Sequence, residues 1–280
     1  MALLRPKIVF DTQIVSDAAN GNIPLREWES VSKFVAARGR YCISLNTLYE
    51  LLASLAGCDD SHFESNRRRI KTLFQPSGKL FLPLVGDFVR TKVFNLPLRR
   101  LDFRSDKLKR WVEIVLRAKD RTALQSGKVT LPKPGHSGRE YGFDFKLLAR
   151  QIEAGKTTHS KRLEDLRQGV LIESTPTTWA NAVLKLIDVE SNDTNRYRLL
   201  NRLDAVYQFD VSLWHLARDK NYNFNDHNSD WLDSQQLYYL CDSAVIFVTK
   251  DSDLKRRAAN SKQSDRIVLY SDFVKHQGMI

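Results

Sequence analysis

The sequence predicts an α/β protein, a three-layer sandwich around a central parallel sheet that carries a mainly helical insertion. Three observations predict it. Strand and helix signals alternate over residues 7–57, the same rhythm returns over 230–270, and the stretch between them is rich in helical pattern and poor in strands. Such alternation favours parallel strands, because each parallel pair needs a long crossover and a helix is the usual one.

Residues 7–15 (KIVFDTQIV) are β-branched and aromatic, the composition of a buried strand, and Asn20-Gly21-Asn22 supplies a turn after them. Pro24 suits the first turn of a helix. Trp28, Val31, Phe34 and Val35 then recur at three- and four-residue spacing until Gly39 closes the segment. Residues 41–45 (YCISL) form a second strand. Ser44 or Asn46 can cap the helix that carries Leu48, Leu51, Leu52 and Leu55 on one face and ends at Gly57. Residues 80–85 (LFLPLV) are the last strand signal before the middle of the chain. There, charged helical pattern occupies 106–125, 144–169, 177–190 and 196–219, and a loop containing Pro132, Pro134, Gly135 and Gly138 spans 127–142. The rhythm resumes with a helix over 230–241, a strand at 244–249 (AVIFVT), a short helix after Asp253 and a strand at 266–270 (RIVLY). Residues 1–77 and 220–280 therefore read as one core, and 78–219 as a helical insertion packed on or beside it.

Composition narrows the function. The chain has 280 residues, 42% of them hydrophobic, which excludes a disordered or low-complexity protein. Its 44 Lys and Arg against 33 Asp and Glu leave a net charge of +11 and favour a polyanionic partner, nucleic acid before an anionic membrane. Cys42, Cys58 and Cys241 lack C-x-x-C spacing, so a reduced setting is expected rather than a disulfide framework or a cysteine zinc site. No window approaches the roughly 18 apolar residues of a membrane span, and no signal or transit peptide pattern opens the chain. A soluble, cytoplasmic protein is the expectation. H-E-x-x-H, G-x-x-x-x-G-K-[ST] and G-x-S-x-G are all absent from the sequence.

In a parallel sheet, ligands collect at the carboxyl ends of the strands, so polar residues at those ends are the candidates for chemistry. Asp11 follows Ile8-Val9-Phe10, where a core-facing carboxylate is costly unless it is paired or bound to a metal. Glu50 lies in the first turns of the helix after the second strand, Asp233 begins the helix before the 244–249 strand, and Asp251 follows that strand by two residues. Taken singly, Asp233, Asp251 and Asp253 could be caps or turn residues and Glu50 a solvated helix residue. Taken jointly, they fall at junctions that a parallel topology brings to one edge. Converged carboxylates repel, and their usual compensation is a hard divalent cation, Mg²⁺ or Mn²⁺, suited to phosphate chemistry.

The order of these features resembles that of a PIN domain: an apolar strand then Asp11, Ile43-Ser44-Leu45 followed by Glu50, and Asp233 opening a helix that leads to Val248-Thr249-Lys250-Asp251-Ser252-Asp253-Leu254. The hydrophobic strand ending in Thr-x-Asp, 16 residues after Asp233, is the most specific part. The likeness covers residues 5–75 and 225–275. It implies a metal-dependent endoribonuclease in which Asp11, Glu50, Asp233 and Asp251 are the catalytic, metal-binding quartet and Asp253 a fifth, variable acidic position. Asp230 competes with Asp233 for its place. The partner implied is nucleic acid, RNA ahead of DNA, with homo-oligomerisation or a protein partner as a family-level expectation and no membrane association.

Basic runs would hold a nucleic-acid backbone against those carboxylates. Lys255, Arg256 and Arg257 directly follow the acidic site, and Arg67, Arg68 and Arg69 form a second run. Further cations occur at Arg99, Arg100, Lys107, Lys109 and Arg110, and Trp111, Tyr141, Phe143 and Tyr197 interleave with basic residues. The alternative expectation is a non-catalytic scaffold that binds nucleic acid or a protein through its basic insertion. Asp11 as a phospho-acceptor in a signalling domain is the weaker third.

Overall fold

The computed structural model describes residues 5–97, 112–125, 145–170, 175–219, 222–223 and 230–275. A five-stranded, wholly parallel sheet lies at its centre in the order β3-β2-β1-β4-β5, where β1 is Lys7–Phe10, β2 Arg40–Ser44, β3 Leu80–Leu82, β4 Val245–Thr249 and β5 Ile267–Leu269. Strand β1 is central, pairing Lys7 with Arg40 on one side and with Val245 on the other. Helices cover both faces, so the protein is a three-layer α/β sandwich.

Alternate side chains of each strand feed the two layers. Ile8, Phe10, Tyr41, Ile43 and Val248 face one core, closed by α1 (Thr12–Asn20), α2 (Leu25–Arg38), α3 (Leu45–Gly57), α4 (Asp60–Leu73), the helical residues 112–117 (α6) and, further along, the C-terminal helix Tyr270–Lys275. Phe10 anchors this side edge-on to Trp28 at 5.5 Å and to Phe273 at 5.8 Å. Val9, Cys42, Val245 and Phe247 face the other core. That core is closed by α5 (Val85–Phe94), α8 (Phe145–Arg167), α9 (Pro176–Leu186), α10 (Asp193–Arg202) and α11 (Asp204–Ala217), with α7 (Arg121–Gln125) between α6 and α8 in the chain. Helix α12 (Asp230–Leu237) runs through the 3-10 turn Tyr238–Cys241 into β4, and α13 (Ser252–Arg257) follows it.

Three sequence expectations change. The strand read through Val15 stops at Phe10 and a helix starts at Thr12. Asp11 sits at the N-cap position, and Ile14, Val15 and Ala19 make one buried helical face, so their β-branched composition is overridden by helical spacing. The stretch 78–219 also contributes a strand to the sheet itself. Its β3 pairs in parallel with β2 as an edge of the sheet, and its helices α8–α11 share a single apolar core with Val9, Cys42 and Phe247. The helical pattern at 196–219 is two helices, Asp193–Arg202 and Asp204–Ala217, broken at Leu203. The loop 127–142 and the cations at 99–110 lie outside the described residues. No helix among the described residues is long and apolar enough to cross a membrane.

A carboxylate cluster at the carboxyl edge of the sheet

Because β1, β2 and β4 are parallel and adjacent, everything that follows them emerges at one edge. Asp11 leaves β1 there, its amide bonded to the Val248 carbonyl at 2.9 Å. Its side chain, 6% exposed, accepts a 2.6 Å hydrogen bond from the Thr249 hydroxyl at the end of β4. The same hydroxyl oxygen accepts from the amide of Asp251 at 3.0 Å. Thr249 thus couples the two strand ends that carry Asp11 and Asp251. Through Oδ1, Asp251 caps α13, accepting from the amides of Asp253 and Leu254 at 2.7 and 3.0 Å.

Helix α3 brings Glu50. Ser44 caps α3 by accepting from the Thr47 amide at 3.0 Å, and one carboxylate oxygen of Glu50 accepts from Thr12 Oγ1 at 2.7 Å. Helix α12 brings Asp233. It is pinned one turn later by Gln236, whose Oε1 accepts from Ser44 Oγ and whose Nε2 donates to Thr47 Oγ1, both at 2.9 Å in a buried network. The helix-capping machinery of α3 therefore also fixes the helix that presents Asp233.

Electrostatics show that these groups form one unit. Burial pushes the Asp233 carboxyl up to about 9, helped by the charges of Asp11, Glu50, Asp230 and Asp251. Burial also lifts Glu50 to about 7, with the Asp11 charge adding and the Thr12 hydroxyl and Lys156 opposing. Asp11 is raised by burial, against its hydrogen bond from Thr249. Like charges at close range in a desolvated place cannot all ionise, so protons are retained at neutral pH.

The structure separates Asp230 from this unit. Its Oδ2 receives Arg257 at 2.6 Å and the Tyr222 hydroxyl at 2.7 Å, and the pair is nearly inaccessible, with side chains 8% and 6% exposed. Arg257 also lies over the Phe209 ring at 5.5 Å. Asp230 is a partnered structural acid, and Asp233 is the one left among like charges.

Two expected assignments shift accordingly. Arg257 faces inward onto Asp230 and is not available to a nucleic-acid backbone, leaving Lys255 and Arg256 on the outer side of α13. Asp253 is exposed, accepts from Arg256 at 2.9 Å, and is not among the charges that act on Asp11, Glu50 or Asp233, so it stands apart from the quartet. Arg67, Arg68 and Lys71 line a cavity of about 480 Å³ with Ala18 and Ala19 near the far end of α1. Thr12 begins that helix, so Ala18 at the cavity lies roughly 9 Å along its axis from the end that carries Asp11. Arg67 itself is engaged by Glu64 and by the Ala118 carbonyl. Tyr197 is 72% exposed, whereas Trp111, Tyr141 and Phe143 lie outside the described residues.

Sequence reading missed Thr12, Thr249 and Gln236 as positioning residues, and Lys156 as a cation beside Glu50. A threonine closing an apolar strand two residues before an Asp is a usable signal. A lysine in the charged, 23-residue helix α8 carries none.

As a donor set, the oxygens of Asp11, Glu50, Asp233 and Asp251 suit a hard divalent cation, which would relieve their repulsion. They do not form a closed shell by themselves: among the described residues, no three His, Cys, Asp or Glu side chains stand together at metal-binding geometry. The chain matches no family model, no curated protein and no solved structure.

Proposed function

We propose that this chain is a Mg²⁺- or Mn²⁺-dependent endoribonuclease with a PIN-like core, hydrolysing phosphodiester bonds of RNA at Asp11, Glu50, Asp233 and Asp251. One observation carries the reading: Asp233 is held up to about 9 by burial and by four neighbouring carboxylates, although its neighbour Asp230 has an arginine of its own. A fold gains nothing from that repulsion, whereas a cation-dependent site uses it. Asp11, Asp233 and Asp251 would hold the cation, and Glu50, oriented by Thr12, would complete the set or direct a water. The chemistry supplied by a bound divalent cation is to acidify water and to offset charge on a phosphodiester during in-line displacement. Thr249 keeps Asp11 and the Asp251 turn in register, and Lys255 and Arg256 on α13 would hold the backbone entering the edge. All three cysteines are free, which suits a cytoplasmic setting.

The test is cleavage of labelled RNA and DNA oligonucleotides with Mg²⁺, Mn²⁺ or EDTA, run beside Asp11→Asn. RNA cutting that requires metal and disappears in the mutant is expected; undiminished cutting by Asp11→Asn would end this assignment. A non-catalytic scaffold is favoured by a separate observation, the open arrangement of the carboxylates. It requires salt-sensitive RNA binding that persists in EDTA without any cleavage.

A further inference from the structure

Beside the carboxylate cluster, on another side of α12, a cavity of about 510 Å³ lies between α8, α9, α11 and α12. Three of the chain's five tryptophans line it, Trp179, Trp214 and Trp231, together with His159, Arg162 and Asp210. Its size falls within the range of pockets for small organic ligands, and its mixture of aromatic surface with a few polar groups is what such pockets show.

The wall is rigid. Trp179 and Trp214 each meet Tyr207 edge-on, at 5.5 and 6.2 Å, and Trp179 Nε1 donates to Asp210 Oδ2 at 2.8 Å. Trp231 lies against Gly155 of α8 so closely that an added Cβ would sit 2.7 Å from its ring. A glycine inside a long helix costs about 1 kcal/mol relative to alanine, and here it makes room for that ring.

Two nitrogens of lining residues, Nε2 of His159 and Nε1 of Trp231, are buried and have no hydrogen-bond partner among the described residues. Burial of unpaired polar groups is unfavourable unless a ligand or water completes them. Burial also holds His159 down to about 4, so its imidazole is neutral at physiological pH, while Asp210 is lifted to about 6 by burial. The lining thus combines the partly exposed Trp231 ring and the edges of Trp179 and Trp214, each 3% exposed, with a neutral imidazole, an indole N–H, a carboxyl and a guanidinium. That combination matches a flat heteroaromatic ring with donors and acceptors around its rim.

We propose that this cavity is a base-recognition pocket, taking a single nucleobase against its tryptophan wall and reading the base's edge with His159, Trp231 and Asp210. The inference rests on the nuclease reading for its ligand class. Stacking on aromatic side chains and hydrogen bonds to the base edge are how single-stranded RNA is commonly recognised. Because α12 carries both Trp231 and Asp233, a base seated here would set which phosphodiester of the strand reaches the carboxylates.

The experiment measures binding of the four ribonucleoside 5′-monophosphates to the full chain in EDTA, by tryptophan fluorescence and calorimetry, with ribose 5-phosphate as control. Saturable binding of at least one monophosphate, and none of the control, is the expected result. His159→Ala should weaken that binding by about tenfold. Trp231→Phe, which keeps an aromatic ring and loses the N–H, should alter the ranking among the four bases while the melting temperature of the protein is retained. Absence of binding at millimolar concentrations, or equal binding of ribose 5-phosphate, overturns the pocket. Base binding without cleavage would leave the pocket standing and remove the nuclease reading; cleavage without base binding would do the reverse.

Discussion

Asp230 and Asp233 stand one helical turn apart on α12 and occupy opposite electrostatic regions. On one side, Asp230 meets Arg257 and Tyr222 inside the helical layer, where a desolvated charge is compensated by a partner and by hydrogen bonds. On the other, Asp233 faces the sheet edge among Asp11, Glu50 and Asp251, burial and those charges lift its carboxyl to about 9, and no ion-pair partner stands beside it among the described residues. The same residue type on the same helix is thus a structural element in one place and a proton-retaining group among like charges in the other. Burial is common to both. What differs is whether the fold supplies the opposite charge.

That comparison breaks most visibly if the quartet is disarmed. Asp11→Asn should lower metal-dependent RNA cleavage by about 10³-fold, equivalent to several kcal/mol of lost transition-state stabilisation, with the circular dichroism spectrum unchanged. On the structural side, Arg257→Met should destabilise the protein by about 3–5 kcal/mol, because it strands Asp230 as an unpaired buried charge. A shift in melting temperature of roughly 10 °C would register it, and Arg257→Met combined with Asp230→Asn should recover most of the loss.

Asp233→Asn is expected to act in the other direction. Removing a carboxyl that others repel should raise the melting temperature of the metal-free protein at pH 8 by a few degrees, about 1 kcal/mol. A fall of similar size would show that Asp233 has a stabilising partner. The smallest effect is the pH profile. Glu50 at about 7 and Asp233 at about 9 both lie above ordinary carboxylate values, so their contribution is full in moderate acid and is lost as pH rises through 7 and 9. His159, held down to about 4, contributes above its ordinary value of 6.5 and loses that contribution as pH falls through 4. On acidification from 6.5 to 4.5 the two carboxyls together gain more than His159 loses, so metal-free protein should be most stable at about pH 4–5 and weaken as pH rises, and added Mn²⁺ should flatten that fall.

Much of this was legible in the chain because it is local. The strands at 41–45, 244–249 and 266–270 are apolar runs between turn residues, and β2, β4 and β5 follow them within a residue or two. The edge position of Asp11, Glu50 and Asp251 follows from parallel topology alone. Local pattern misled where two periods coincide: Ile14 and Val15 suit a strand by composition and a helix by spacing, and the helix that buries Ile14, Val15 and Ala19 on one face prevails. Helix α4 is weakly marked in the sequence: Asp59 caps it by accepting from the His62 amide at 3.0 Å, but charged residues outnumber its buried Phe63 and Ile70 and blur the apolar spacing. Least legible were the long-range facts. Nothing near Arg257 announces that it turns inward to Asp230, and nothing near Lys156 places it beside Glu50, because both depend on how α8 and α11 close over the sheet.

The most direct test is calorimetric titration of the metal-free protein with Mn²⁺ at pH 7.5, repeated in buffers of different ionisation enthalpy and with Asp11→Asn. A cation entering the quartet must displace the proton that Asp233 retains, so saturable binding with release of about one proton per ion is predicted for the wild type, and loss of that binding for the mutant. Binding that is absent from the wild type, or that is identical in the two proteins, would contradict the assignment of these carboxylates to one cation site.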